Sequence, residues 1–527
     1  MTYQGKVREV AAARAARSTA SDLRELDAGD IVVGKDVLEL LSSAMYVDPM
    51  SVYREYVQNA ADAVDDARGL GQLAADESGR VEVNLDPSTR SVRIRDNGTG
   101  IAWPDFVRRM SALGASAKRG LGARGFRGVG RLGGLGYAQE VIFRSRTPGE
   151  THVSEMRWDC RKLRTLLRSV EGDDLTGLLT KVVTAGRLGA SDRPERFFEV
   201  ELRGLVRLRA DRLMDPAAIS DYLGQVAPVP FAPEFRFGST IAKALDGVVA
   251  VGHLHLCVSS LDAPVYRPHR DTFAIDEKNE ATFSDIEFVE FPGIDGGIAG
   301  IGWVLHHDYE GAIPQAAQVK GLRLRCGNMQ VGDNVILEEL FPESRFNSWS
   351  VGEIHVVDNR ILPNGRRDHF EQNAHFQNLL NHIAPTARDI ARRCRTGSVK
   401  RKLLRDFEQH RIGVTERIEI IGQKSVGHTK RESIALDAER SLLQMEKIVA
   451  MPLIKSEMAE DLKNNVQTLR LDLRRSLKGK ALPQTPLGRL TEEKRAMYEH
   501  LFELVFECST NRSAAKALVD RIISKIS

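Results

Sequence analysis

Residues 51–67 read SVYREYVQNAADAVDDA, and this stretch decides where the chain places its chemistry. Val52, Tyr56, Ala60 and Val64 recur at helical spacing, and Glu55, Asn59, Asp62 and Asp66 follow one another at intervals of four, three and four. A carboxylate, a carboxamide and two further carboxylates therefore share one side of a helix. An asparagine oxygen can meet a hard cation such as magnesium, and a glutamate one turn away can orient or deprotonate water. Alone, the pattern also fits an ordinary amphipathic helix with its acids in solvent, so the neighbouring sequence has to decide.

Upstream, residues 7–20 predict an alanine-rich helix carrying several arginines, an arm able to pack on the domain or on a partner subunit, and residues 36–45 predict a further helix. Downstream the period changes to two: RVEVNLD and SVRIRD, parted by Pro87, Ser88 and Thr89, predict paired antiparallel strands. The second strand runs into Asp96-Asn97-Gly98-Thr99-Gly100. Missing side chains at Gly98 and Gly100 let backbone approach a flat ring, and the Asp96 carboxylate can accept from an exocyclic amine, as on adenine. A plain surface turn is the alternative. Then comes GASAKRGLGARGFRGVGRLGGLGYA, in which glycines alternate with Lys118, Arg119, Arg124, Arg127 and Arg131. Free backbone N–H groups beside cations make a phosphate cradle, and the glycines suit a lid. The pattern GxxxxGK[ST] is absent, as is any strand–GxGxxG–helix unit. The segment TGLLTKVVT is strand-like, and Thr176 in it, with Thr180 as the second choice, is a phosphate-contact candidate.

With 527 residues, 42% hydrophobic and 28% charged, the chain is long enough for several globular domains. A net charge of +3 is too small for its size to imply a nucleic-acid partner. The five cysteines are scattered without a CxxC pair, which argues against zinc and fits a reducing cytoplasmic setting. No apolar run reaches membrane-spanning length, so no membrane partner is expected.

Taken together, the helix of Glu55 and Asn59, the loop 96–100 and the glycine-rich 125–130 segment resemble the three nucleotide-binding motifs of the GHKL superfamily, which covers gyrase B, Hsp90, histidine kinases and MutL, with MORC proteins close by. EYVQNAADAVDDAR, 55–68, is most similar to the corresponding Hsp90 motif. The resemblance implies ATP and Mg2+, with Glu55 as catalytic base and Asn59 as the magnesium ligand, Asp62 on the same helix beside the nucleotide, and Asp96 on the adenine amine with Gly98 and Gly100 beside it. GFRGVGRLGGLGYA, 125–138, looks like the Hsp90 phosphate segment, which implies nucleotide contacts from Phe126, Gly128, Val129 and Gly130. Arg131 stands where Hsp90 has an aromatic residue, and GASAK is closer to MORC and MutL lids, from which Lys118 is carried over as a phosphate contact. The presence of Glu55 separates the chain from histidine kinases.

Further on, GLRLRC and EIHVVD predict strands, and Pro363-Asn364-Gly365 leads to Arg366, Arg367 and Asp368 at the start of a predicted helix. This region resembles the Hsp90 middle domain. The match implies that Arg367 reaches the ATP γ-phosphate when domains dock, with Arg366 as the runner-up. A surface Arg-Arg-Asp cluster is the plain alternative. His253 and His255 lie two apart in a strand without a fixed third ligand, a weak metal signal. After Ile390 the chain turns basic and then helical, with a hinge expected near 422–427 and Leu462, Val466, Leu469, Leu473 and Leu477 forming a seam that suits either a bundle or a dimer.

The expected architecture is multi-domain α+β: a Bergerat ATP-binding α/β sandwich over 1–195, a middle transducer domain of ribosomal-protein-S5-like type over 196–392, and an all-helical region over 393–527. The expected function is an Hsp90-like cytoplasmic ATPase, a homodimer that drives shape change on a protein client or partner. The alternatives are a MORC- or MutL-like clamp on nucleic acid and a nucleotide-sensing subunit of a bacterial defence complex.

Overall fold

The period-two stretches pair as the alternation requires. β1 (Gly79–Asp86) and β2 (Ser91–Asp96) are antiparallel, with Val83 opposite Ile94 and Leu85 opposite Val92. The computed structural model describes residues 35, 38, 48–74, 77–112, 130–169, 174–190, 192–249, 254–275, 279–422, 428–454, 456–478 and 486–526. The arm expected over 7–20, the helix expected over 36–45 (Leu38 apart), His253 and the hinge residues 423–427 lie outside them.

The described residues form two compact units. The first comprises those up to Leu305 together with Ile313–Glu338 and Val351–Ile383. Its leading feature is a seven-stranded sheet ordered β5-β4-β3-β6-β2-β1-β7, where β3 is Glu140–Arg146, β4 His152–Asp159, β5 Val183–Gly189, β6 Phe197–Arg203 and β7 Leu254–Val258. All neighbours are antiparallel except β1 and β7. β6 and β7 come from beyond residue 195, so the sheet does not end at the boundary expected from the sequence. One face carries Val81, Val83, Val92, Ile94, Val200 and Leu202 into a core shared with α1 (Ser51–Gly69). α1 is buried along most of its length, because its apolar residues outnumber a single stripe.

The opposite face is closed by charge. Arg144 is buried and bonds to Glu155 at 2.7 Å, Glu199 at 2.9 Å and Glu201 at 2.5 Å, carboxylates from the two strands flanking β3. Arg95 pairs with Glu199 at 2.6 Å, and Arg203 and Arg157 complete the row. Burial would raise the carboxyls of Glu155 and Glu201, but hydrogen bonds from Arg157 to the first, Arg203 to the second and Arg144 to both hold them below the ordinary carboxylate range. Both are depressed in the folded chain. Their contribution is therefore present above the unfolded carboxylate pKa and disappears as pH falls through the folded values. Arg144→Met should cost about 3–5 kcal/mol at neutral pH, since three carboxylates lose their common counter-charge. Thermal melts should show the gap from wild type narrowing as pH is lowered through the carboxylate range. A gap independent of pH would show that packing, not charge, sets the loss.

TGLLTKVVT differs from its strand-like reading. Leu175–Val182 is a helix, α4, and only from Val183 does the chain extend. α2 is Trp103–Ser111 and α3 is Cys160–Arg168. The Asp174 side chain caps α4 by accepting from Gly177 N at 2.7 Å, and Leu178 and Val182, four apart, bury one face. Thr176 is exposed in the first turn.

α5 (Pro216–Val226), begun by the Asp215 cap, and α6 (Gly238–Leu245) lead from the first sheet to a second. A two-stranded hairpin, β8 (Thr272–Ala274) with β9 (Glu280–Thr282), comes first. The five-stranded sheet is ordered β10-β11-β14-β12-β13, with β10 Asp285–Pro292, β11 Ile298–His306, β12 Gly321–Cys326, β13 Met329–Val331 and β14 Val351–Val356. Trp303, Ile301 and Leu305 pack with Phe235, Ile241 and Phe283.

The second unit, His306–Ala312, Glu339–Ser350 and Ala384–Ser527, is mainly helical. α7 (Ala374–Gly422) continues through Pro385 and through the basic run ARRCRTGSVKRK, which is helix and not linker. α8 (His428–Val449) and α9 (Ser456–Lys478) pack on its later turns through Phe407, Val414, Leu442 and Met445. Val466 and Leu473 of the leucine seam are buried in that core, with Leu462 and Leu469 against it, while Leu477 is exposed. Most of the seam thus packs inside a bundle. α10 (Glu492–Cys508) and α11 (Arg512–Ile526) pair through Phe502 and Val519. Among the described residues no helix is long and apolar enough to cross a membrane.

Candidate active site

Glu55, Asn59 and Ala63 occupy successive turns along one line of α1, eight residues or about 12 Å from first to last. Each end meets a glycine from another segment. At the far end the loop after β2 docks on Ala63: Thr99 N donates to Ala63 O at 3.2 Å, and a Cβ on Gly98 would lie 2.6 Å from the Ala63 backbone and side chain. Asp96, buried at the end of β2, is oriented there by accepting from Gly98 N at 2.8 Å. Gly100, with φ +66°, lies against Arg146 O. At the near end a Cβ on Gly130 would collide with Glu55 Oε2, so the backbone there passes close against the carboxylate. The structure thus brings Glu55, Asn59, Asp96, Gly98 and Gly130 to one face of α1, with Asn59 half-buried between the two docked segments. Asp62 is buried on the same helix. Lys118, Phe126, Gly128 and Val129 lie outside the described residues. Thr176, in α4, is exposed and not on a strand facing this helix.

The 3₁₀ segment Gly130–Gly136 is fixed to α1 by Tyr56, whose hydroxyl donates to Arg131 O at 3.0 Å and accepts from Gly134 N at 3.1 Å. Helical periodicity marks Tyr56 only as an apolar position; its hydroxyl is the anchor that sequence reasoning missed. Arg131 is half-buried, and burial pulls its guanidinium down to about 10. Among the described residues its Nε and Nη2 have no hydrogen-bond partner, which makes it a cation that gains by meeting an anion.

Arg367 does not begin a helix. Residues 364–369 form a turn in which Asn364 N bonds His369 O at 2.8 Å and Arg367 N bonds Asn364 O at 3.2 Å, and α7 starts only at Ala374. The bridge between Pro363 and Phe370 closes the loop, which a helix starting at Arg366 would open. Arg367 has φ +57°, a left-handed conformation that costs a non-glycine residue roughly 1–2 kcal/mol, and Gly332 N holds it by donating to Arg367 O at 2.8 Å. This turn meets α1. Arg54 Nη2 donates to Arg366 O at 2.8 Å, and Arg367 Nε lies 3.3 Å from Glu55 Oε1. The latter contact lacks hydrogen-bond alignment, and among the described residues none hydrogen-bonds the buried Glu55 Oε1. Arg54, buried beside Glu55, is a second residue the sequence reading missed; an arginine directly before Glu55 was its only signal.

The donor set suits magnesium. Among the described residues no cluster of three or more His, Cys, Asp or Glu could hold a metal, and His255 faces Cys257 Sγ at 3.2 Å instead. A single carboxamide on α1 fits an ion that keeps several waters and is otherwise held by substrate phosphates.

Residues 47–169 match the family model described as histidine kinase-, DNA gyrase B-, and HSP90-like ATPase. The chain is similar to chaperone protein HtpG of Rickettsia canadensis (strain McKiel), 26% identical over 213 residues, covering 37% of this chain and 33% of that protein. It is also similar to HtpG of Streptomyces coelicolor, 30% identical over 150 residues, covering 25% and 23%. HtpG of Gluconobacter oxydans is 26% identical over 206 residues, covering 35% and 31%. The chain thus spans about a third or less of the length of these curated relatives. It carries a GHKL-type ATPase domain, distantly related to Hsp90-like proteins, which supports a general ATP-binding and ATPase role.

Proposed function

We propose that the chain, with this ATPase domain at residues 47–169, is a magnesium-dependent ATPase that couples ATP binding and hydrolysis to lid closure and domain rearrangement on a protein partner. The observation that carries the reading is the line Glu55–Asn59–Ala63, with Gly130 against its first residue and Gly98 against its last. A nucleoside triphosphate laid along that line has its base at Asp96 and its γ-phosphate at Glu55. Asp96, held by Gly98 N, accepts from the adenine amine, which guanine lacks at that position. Asn59 would hold magnesium, which when bound neutralises charge on the phosphates. Glu55 takes a proton from the attacking water, and its buried oxygen, which none of the described residues hydrogen-bonds, suits that task. Arg367, beside Glu55, and Lys118 and Arg131 from the glycine-rich segment stabilise the transferring phosphoryl group.

The second sheet region is read as a transducer of ribosomal-protein-S5-like type, because its turn 364–369 delivers Arg367 to α1. The whole works as a cytoplasmic homodimer acting on a protein client. Calorimetric titration with ATP in magnesium tests the site itself. Wild type should bind one nucleotide per chain and prefer ATP to GTP. Asp96→Asn should weaken ATP by about 1–3 kcal/mol, the cost of unpairing a buried polar group. Equal affinity in the variant would remove Asp96 from the base pocket.

A further inference from the structure

A second cleft, of about 700 Å³, lies in the first unit away from α1. Its size suits a ligand, and one side of it is β8. In the β8–β9 hairpin Phe283 N donates to Asp271 O at 3.0 Å and Ile275 N to Asn279 O at 2.8 Å. By the two-residue alternation of antiparallel pairing, the N–H and C=O groups of Thr272 and Ala274 then point away from β9. Among the described residues no backbone or side-chain group bonds them. Thr272, Phe273, Ala274 and Ile275 line the cleft and Glu280, Ala281 and Thr282 do not, so the bare edge is the one that faces it.

The remaining walls include Pro264, Pro268 and Pro314, which have no N–H with which to close that edge from within the chain. Tyr266 and Ala317 add apolar surface, and among the described residues Asp221 and Arg270 are the charged ones that line it, one of each sign. The described lining thus carries no net charge with which to hold a phosphate or polyanion. It offers instead a row of backbone donors and acceptors flanked by apolar surface, and a two-stranded hairpin gains from a third strand.

We propose that this cleft binds an extended, apolar polypeptide segment of a partner protein, which pairs with β8 as an added strand. Main-chain hydrogen bonds to Thr272 and Ala274 give the affinity, and alternate side chains of the segment fill the apolar walls. The inference does not use the nucleotide site and is tested without nucleotide.

The experiment is fluorescence anisotropy of the full chain with a short labelled peptide of alternating valine and serine, beside the same peptide N-methylated at alternate residues. Ala274→Pro removes one outward N–H without touching the bonds to β9, a position where an edge strand accepts proline. Ala316→Arg narrows the mouth and leaves the β8 backbone intact. Binding should weaken about tenfold or more in each variant, and equally when the peptide is methylated on its pairing edge. Both variants should keep wild-type melting and basal turnover. Loss in Ala316→Arg without sensitivity to Ala274→Pro or methylation would overturn strand addition. Absence of peptide binding at millimolar concentration would overturn the site. Self-association of the wild type abolished by Ala274→Pro would put a second copy there and overturn the peptide assignment.

Discussion

Glu55→Ala should lower ATP turnover by at least about a hundredfold while leaving nucleotide affinity nearly unchanged, because a positioned general base contributes about 10²–10⁴ in rate and little to ground-state binding. The geometry separates these two effects. Glu55 sits at the Gly130 end of α1 beside Arg367 at 3.3 Å, whereas Asp96 sits with the Gly98 loop at Ala63, two turns away. Arg367→Ala, measured in parallel, should also reduce turnover and keep binding, since its guanidinium acts on charge that grows as the phosphoryl group transfers. Arg54 bonds the carbonyl of Arg366, so Arg54→Ala should resemble Arg367→Ala by releasing the turn that carries it. Steady-state phosphate release, with binding followed by calorimetry, checks all three. Wild-type turnover in Glu55→Ala would remove the residue from the chemistry.

A stability effect as large as that at Arg144 belongs to Glu353, fully buried in β14. Its Oε1 accepts from Arg325 Nε at 2.6 Å and its Oε2 accepts from Arg267 Nη1. Burial would raise this carboxyl, but the charges of Arg267 and Arg325 hold it well below the ordinary range. Burial itself lowers Arg267 to about 9 and keeps His269, at about 3, neutral. One carboxylate therefore serves two buried arginines. Those arginines in turn hold the chain end of α5: Arg325 Nη2 donates to Gln225 O at 2.6 Å and Arg267 Nε to Val229 O at 3.0 Å. Glu353→Gln keeps the shape and removes the charge. It should cost about 3–5 kcal/mol, because two guanidiniums are left buried without a counter-ion. The melting temperature of the first unit should fall by about 10 °C. A fall of less than about 2 °C would show that the arginines are neutralised by something other than Glu353.

How far the sequence reaches depends on how local each interaction is. The helix from Ser51, the strands of β1 and β2 and the Asp96 loop follow from spacing alone, because period and turn chemistry act over a few residues. Thr176 shows where that logic slips: threonines and valines suggest a strand, but the Asp174 cap and the Leu178–Val182 pair select a helix up to Val182. Arg54 and Arg366 meet across 312 positions, and Arg267 and Glu353 across 86. Nothing local marks such partners, since Arg325 and Glu353 read as ordinary alternating charges on strands until burial is known. The left-handed turn at Arg367 is equally hidden, because Pro-Asn-Gly followed by charged residues suits a helix start as well as a closed loop.

The account rests on a site that both holds ATP and breaks it. The most direct measurement is phosphate release by the wild-type chain at an ATP concentration that titration shows to be saturating, with magnesium and after chelation. The account predicts slow release well above the blank, lost on chelation and recovered when magnesium is restored. Saturating ATP with no release above the blank would contradict hydrolysis, and no saturation at all would contradict the site.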